Sequence, residues 1–353
     1  MSRFLADKYL SLKEYVPGEQ PKGRSYIKLN TNESPFPPSQ GVIDEINCAQ
    51  VKSLRLYPDP DASELKEALS REYSVKPQNI FVANGSDDIL NFSFMAFSQE
   101  GAAYADITYG FYKVFAKLHG VESEIIPLED DLTLDAKKYI EKNKLIVIAN
   151  PNAPTGLCIS LEEIEEIAKT NPDNVVVIDE AYVDFGGESA AKLTEKYSNL
   201  LVVMTYSKSR SLAGARLGFA IGNSELIADL DRIRNSTNPY NVNRLTQIAG
   251  IKAIEESDYY KTNCRKIIEA REYTKRELKS LGFEYTDSKA NFIFAKSPDI
   301  GGEELYLKLK DKGILVRHFN DERICEYIRV SIGTLSDMEK FVGAVKEILN
   351  EKS

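Results

Sequence analysis

Tryptophan is absent from the sequence, and cysteine, methionine and histidine are scarce, with four, four and two residues respectively. Cys48, Cys158, Cys264 and Cys325 are scattered, form no CxxC pair and have no histidine at zinc-ligand spacing. A disulfide framework and a metal site both lose support, no metal is expected, and a reducing compartment fits. Basic charge is also short: 45 Lys and Arg stand against 54 Asp and Glu, a net charge of -9. Nucleic-acid binders normally present a basic face to phosphates, so that class is disfavoured and no nucleic-acid partner is expected. Long apolar runs are missing as well. No stretch approaches the roughly 18 apolar residues of a membrane span. Met1 to Val16 mixes charged with apolar residues instead of forming the apolar core of a secretory signal. A soluble, cytoplasmic chain without a membrane partner is the expectation.

What is present suits a folded protein: 42% hydrophobic and 28% charged residues over 353 positions, enough for one large domain and a smaller one. Short apolar runs, turns and helical patterns alternate through the middle of the chain, as parallel α/β units do. Strands are predicted at Asn79 to Ala83, Leu145 to Ala149, Val175 to Ile178, Leu201 to Thr205 and Leu217 to Ile221. Helices are predicted at Asp87 to Phe97 and at Leu161 to Lys169, the latter capped by Ser160. Past Asn243 a long charged helical stretch, Arg244 to Leu281, leads into strands near Asn291 to Ala295, Ile314 to Arg317 and Tyr327 to Ser331, with a helix near Glu303 to Lys312. The expected division is an N-terminal arm over 1–38, a large domain over 39–243 with a mostly parallel wound sheet, and a smaller α+β domain over 244–353.

Four motifs follow apolar runs. Thr205-Tyr206-Ser207-Lys208-Ser209 is followed eight residues after Lys208 by Arg216, within Gly214 to Gly218. A lysine just past a buried strand, beside a hydroxyl and near a second cation, suits Schiff-base chemistry, although most lysines are simply solvated. Val175 to Ile178 ends in Asp179, with Tyr182 three residues on. Asp179 is placed to bond a protonated pyridine nitrogen, with Tyr182 near a ring hydroxyl; taken alone, such an Asp is as readily a helix cap. Asn84-Gly85-Ser86-Asp87 joins a strand to a helix start, whose free N–H groups and hydroxyl make an anion site or merely a capped helix. It has neither the GxGxxG nor the GxxxxGK[ST] pattern, which weakens dinucleotide and nucleoside-triphosphate readings. Asn150-Pro151-Asn152-Ala153-Pro154-Thr155-Gly156 is a rigid loop at the carboxyl end of a strand, where wound sheets bind ligands.

These motifs, in this order, resemble those of fold type I aminotransferases that use pyridoxal 5'-phosphate (PLP), and the resemblance covers nearly the whole chain. Leu29 to Pro35, Tyr57-Pro58-Asp59, Thr108 to Tyr112, Pro239 to Asn243 and Tyr327 to Thr334 are similar to the histidinol-phosphate aminotransferase branch. The resemblance implies an α/β fold of the PLP-dependent type I kind. It implies Lys208 as covalent anchor and base, Asp179 at the pyridine nitrogen, Tyr182 and Asn152 at the ring hydroxyl, and Tyr109 on the ring. Gly85, Ser86, Asp87, Ser207 and Arg216 are implied at the cofactor, chiefly its phosphate, joined by Tyr57 from the other subunit of a homodimer. Arg329 is implied at the anionic end of the substrate, with Arg317 as a second phosphate ligand and Tyr15 and Asn30 lining the pocket. An ion pair of Arg329 with Glu322 or Glu326 is the plainer alternative. The chain departs from the pattern at Ala153, where a second Asn is frequent, at Met204, where an Arg is common, and at Arg210, where an aromatic or small residue is common. The reaction implied is amino transfer from L-histidinol phosphate to 2-oxoglutarate in histidine biosynthesis. Alternatives are an aromatic or broad-range aminotransferase, a threonine-phosphate decarboxylase, and a non-catalytic PLP-binding regulator; for the last, the chain has no spare length for a DNA-binding module.

Overall fold

The structure, a computed structural model, describes residue 9, residues 12, 13 and 15, residues 17–21 and residues 25–351. Most of Met1 to Val16, expected to lack a signal, lies outside the described residues. In chain order the strands are β1 (Ile27–Lys28), β2 (Ile80–Ala83), β3 (Ala102–Ala105), β4 (Ser123–Ile126), β5 (Leu145–Ala149), β6 (Val176–Asp179), β7 (Leu200–Thr205), β8 (Gly218–Gly222), β9 (Glu284–Tyr285), β10 (Phe292–Lys296), β11 (Ile314–Leu315), β12 (Arg317–His318) and β13 (Tyr327–Ser331).

Seven of them form one sheet in the order β2-β8-β7-β6-β5-β3-β4. All neighbours are parallel except around β8, which runs antiparallel to both β2 and β7. Continuous apolar runs make this possible: every residue of β5, β6 and β7 is buried, as expected for parallel strands covered on both faces. Residues on the two faces feed separate apolar clusters, one containing Ile146, Val176 and Val202, the other Val147, Val177 and Val203. The only strand of this sheet with a half-wet pattern is β4, at its edge.

The register places the functional motifs. Ala149 pairs with Asp179, Asp179 with Val203, Thr205 with Gly218 and Ala83 with Gly218. The loops after β2, β5, β6 and β7, and the loop before β8, therefore all leave from one edge of the sheet. That edge is the carboxyl end of its parallel strands, where such sheets bind ligands.

A second, antiparallel sheet has the order β12-β13-β10-β9. Helices Ser257–Ser280, Gly302–Asp311 and Leu335–Asn350 bury Ile267, Leu305 and Phe341 in its apolar cluster. Thr334 starts the last helix with a full capping box to Asp337, as Ser160 does with Glu163 for helix Leu161–Thr170. The arm joins this sheet's body through β1, which pairs in parallel with β11.

The predicted strands and helices fall within a residue or two of those observed, except that Ile314 to Arg317 is split into β11, paired with β1, and β12, paired with β13. The other differences lie elsewhere. β3 and β4 were not predicted, because Ala102–Ala105 is mostly alanine and Ser123–Ile126 is a short edge. The expected single helix over Arg244 to Leu281 is two, Arg244–Glu255 and Ser257–Ser280, broken at Glu256. The first of these puts Ala249, Ala253 and Ile254 into an apolar cluster of the large sheet, so packing does not change at Asn243.

Candidate active site

Lys208 stands three residues past the end of β7, in a loop held by its own backbone. Tyr206 N–H donates to Leu217 O at 2.9 Å, Leu212 N–H to Tyr206 O at 3.0 Å, and Ser207 N–H to Thr205 Oγ1 at 3.1 Å. Arg210, one of the departures from the family pattern, anchors the loop from beneath. It is buried, lies 3.5 Å from Asp184, donates to Tyr73 Oη at 3.3 Å, and sits over the Tyr206 ring. Lys208 itself is half-buried. Its Nζ reaches Thr31 O at 3.4 Å and lies 5.6 Å from the centre of the Tyr182 ring. Among the described residues no carboxylate is within ion-pairing distance of it, and it lines a cavity instead of standing fully in solvent.

Asp179 ends β6 and is only 4% exposed. Tyr112 Oη donates to its Oδ2 at 2.8 Å and Ala181 N–H to its Oδ1 at 3.2 Å. Burial pushes the carboxyl up to about 6, against the downward pull of those two bonds and of Lys208. A buried acid at this value lacks a cation to face. No helix starts at Asp179: the Ala181 bond closes a turn, and the next helical turn, Val183–Phe185, has no side-chain cap, so the capping alternative does not hold. Tyr112 belongs to the Thr108 to Tyr112 segment, which carries the resemblance without giving this residue a role. The neighbouring Glu180 is pushed up to about 8 by burial and is used internally, accepting from Ser189 Oγ and Ala190 N–H.

Beside this pair lies a polar cradle. Helix Ser86–Phe97 starts without a side-chain cap after Gly85, whose φ is +82°. A Cβ on Gly85 would lie 2.6 Å from Arg216 Nη2, and one on Gly218 would lie 2.4 Å from Ser86 N, so both positions must be glycine for the loops to approach. Arg216 donates to Ser207 Oγ at 3.3 Å and pairs with Asp87 at 2.9 Å. Asp87 also accepts from Tyr109 Oη at 2.8 Å, which connects the cradle to the cavity holding Lys208.

That cavity measures about 670 Å³ and is lined by Lys208, Tyr182, Tyr109, Tyr15, Arg317 and Arg329 among others. Tyr15 stacks on Phe111 at 4.3 Å, and burial raises its phenol. Asn30 donates to Glu19 O at 2.9 Å and leaves its buried Oδ1 without a partner. Arg317 and Arg329 are direct cross-strand neighbours in β12 and β13. Arg329 donates to Asn30 O at 3.2 Å, lies over Phe292 and Phe319, and has a buried Nε without a partner. Burial lowers its guanidinium below the ordinary value. Among the described residues no carboxylate pairs with it, so the alternative of an ion pair with Glu322 or Glu326 does not hold.

Two expected residues sit apart. Asn152 gives its amide hydrogens to Ile107 O at 3.0 Å and Thr155 Oγ1 at 3.1 Å, and its oxygen accepts from Thr108 Oγ1 at 2.8 Å. It braces the loop and has no amide hydrogen left for a ring hydroxyl. Tyr57 is 77% exposed and stacks on Tyr240 at 4.5 Å, away from this chain's cavity.

Lys208 and the neighbouring guanidinium groups of Arg317 and Arg329 line one cavity, and the buried Asp179 carboxyl and the Gly85–Ser86 turn lie at the same sheet edge as Lys208. The family Aminotransferase class I and II matches residues 24–345. The histidinol-phosphate aminotransferase of Brachyspira hyodysenteriae is 54% identical over 352 residues, covering 99% of both chains. The chain belongs to the histidinol-phosphate aminotransferase family of class I and II aminotransferases. The Clostridium acetobutylicum histidinol-phosphate aminotransferase is 47% identical over 351 residues, 99% of this chain and all of that one. In fold, this aminotransferase matches the Sinorhizobium meliloti histidinol-phosphate aminotransferase, solved in complex with pyridoxal 5'-phosphate, with a TM-score of 0.87 at 22% identity over the full length of both. Among the described residues of the aminotransferase, no helix is long and apolar enough to cross a membrane.

Proposed function

We propose that the chain exchanges the amino group between L-histidinol phosphate and 2-oxoglutarate, in cytosolic histidine biosynthesis, with pyridoxal 5'-phosphate as cofactor. The residues fit that group. Among the described residues Asp179 is a buried acid with no ion-pair partner, the helix start at Ser86 has no side-chain cap, and Lys208 makes one long hydrogen bond. When bound, the cofactor supplies a carbonyl for covalent attachment and a ring that takes up the electron pair of a carbon losing its proton.

The chain's own groups do the rest. Asp179 holds a protonated ring nitrogen by charge. Tyr182 offers its O–H to the ring oxygen. Ser86, Ser207, Arg216 and the N–H groups of the helix start hold the phosphate. Lys208 would be the point of attachment, and its free Nζ would take and return the proton at the amine-bearing carbon.

One observation carries the substrate assignment: Arg317 and Arg329 face each other across β12 and β13. Like charges directly opposite in a sheet are destabilising, and a dianionic phosphate placed between them relieves that repulsion. A guanidinium grips a carboxylate through the same paired bonds, so Arg329 also serves 2-oxoglutarate. The test is a panel of L-histidinol phosphate, phosphothreonine and phenylalanine, with 2-oxoglutarate as acceptor. Expected is the highest kcat/KM with L-histidinol phosphate. Carbon dioxide release from phosphothreonine without amino transfer would overturn the assignment, as would phenylalanine turning over equally well.

The site is completed by a second copy of the chain. Val51, Leu54, Leu56 and Tyr57 form an exposed apolar run, with Tyr240 beside it. A surface of this kind marks an interface. In a homodimer Tyr57 reaches the partner's phosphate cradle. Full activity in a species that sediments as a monomer would contradict this.

A further inference from the structure

Three consecutive residues of the arm each touch one of the groups assigned above. Asn30 O accepts from Arg329, Thr31 O lies 3.4 Å from Lys208 Nζ, and Asn32 Nδ2 donates to Tyr182 Oη at 3.0 Å. The last contact is the most tightly specified. Asn32 is 1% exposed and sits in the left-handed region at φ +56°, which asparagine tolerates better than most residues. Its backbone N–H donates to Ser331 Oγ at 2.8 Å, and Ser331 Oγ donates to Asn32 Oδ1 at 2.7 Å. Asn291 Nδ2 holds Asn32 O at 3.0 Å.

These bonds settle which end of the amide faces Tyr182. Ser331 is buried and has one hydroxyl hydrogen; turning the amide round would put Nδ2 against Ser331 and leave that hydrogen without Oδ1 to receive it. Nδ2 therefore faces the phenol, and the Tyr182 oxygen is an acceptor there. Among the described residues nothing accepts the Tyr182 proton, and Tyr182 lines the cavity with Lys208. The other expected donor to a ring oxygen is missing, since Asn152 is fully committed and the next residue, Ala153, carries only a methyl.

We propose that Asn32 is a positioning residue for Tyr182: by donating to the phenol oxygen it directs the single phenolic proton toward the cofactor's ring oxygen, in place of an amide at position 153. This rests on the PLP assignment above. A hydrogen bond accepted by a hydroxyl strengthens the one it donates, so removing Asn32 both frees the phenol to turn and weakens its donation. A donor at the ring oxygen favours that oxygen's negative charge and so loosens its hold on the proton of the adjacent linking nitrogen. Loss of the donor raises the pH at which that proton leaves.

The readout is the pH midpoint of the visible absorption of the cofactor-loaded enzyme. Asn32→Gly removes the amide without straining a positive φ, and is expected to raise the midpoint by on the order of 0.5–1 pH unit. Tyr182→Phe raises it too, and the double variant goes no further than Tyr182→Phe alone. Ala153→Asn placed in the Asn32→Gly chain brings the midpoint back down. Should Asn32→Gly not fold, Ser331→Ala unlocks the amide while leaving Tyr182 intact, and gives a smaller shift of the same sign. An unchanged midpoint in the folded variant, or a shift that adds in full to that of Tyr182→Phe, overturns the proposal. Absence of any visible band dependent on Lys208 in the unaltered enzyme would instead overturn the cofactor assignment, and this one with it.

Discussion

The two ends of the cavity are built differently. At the proposed cofactor end, Lys208, Asp179, Ser86 and Arg216 all stand at one edge of the large sheet, and strand register sets their spacing. At the proposed substrate end, Arg317 and Arg329 come from the second sheet, while Tyr15 and Asn30 come from an arm held to it by β1 and β11. The first end is rigid by backbone pairing. The second depends on side-chain bonds made across as many as 299 residues of chain, such as Arg329 to Asn30 and Asn32 to Ser331. The proposed attachment site thus rests on strand register, and the proposed substrate end on contacts between the arm and the second sheet.

Variants that strike one end and spare the other test this contrast. The largest effect is expected from Lys208→Ala, which removes the point of attachment and the base; amino transfer should fall by about 10³-fold or more, read as kcat with saturating substrate. Next comes a pH effect confined to the sheet edge. In the cofactor-free protein the Asp179 carboxyl is pushed from its ordinary 3.8 up to about 6. Between those values the folded chain holds more protons than the unfolded one, so stability falls as pH rises through that window. The loss is on the order of 3 kcal/mol across the whole window. Melting of the cofactor-free protein should therefore weaken from pH 4 to 7 more in the unaltered chain than in Asp179→Asn. Loading the cofactor should remove most of that difference.

At the other end, Arg329→Ala should lower kcat/KM for both L-histidinol phosphate and 2-oxoglutarate by roughly 10- to 100-fold, the scale of a lost charged hydrogen bond. The cofactor's visible spectrum should stay unchanged. A spectrum altered as much as the kinetics would show that the two ends are not separable. The smallest effect is expected from Tyr112→Phe, which deletes one bond to Asp179 worth about 0.5–1.5 kcal/mol. Cofactor affinity should drop only several-fold, by equilibrium titration, with substrate KM unmoved.

The same contrast explains what was legible in the sequence. Lys208, Asp179 and the Gly85-Ser86 turn follow apolar runs at strand ends, so local pattern locates them, and β5 and β13 fall on the residues predicted. Arg210 was visible only as a departure from the family pattern; its burial between Tyr73, Asp184 and Tyr206 shows what it does. Tyr112 and Asn32 lie in segments that carry the family resemblance, but their roles were not legible there, because they rest on a bond to Asp179 across 67 residues and one to Tyr182 across 150. Asn152 was misleading for the opposite reason: it stands in the right loop, and only its three bonds show that it serves the loop itself.

The most direct measurement is borohydride reduction of the PLP-loaded enzyme followed by peptide mass spectrometry. A reduced cofactor adduct on Lys208, and its disappearance when the protein is first reduced in Lys208→Ala form, is the expected result. An adduct of equal yield on another lysine, with Lys208 unmodified, would contradict the assignment on which both ends of the site depend.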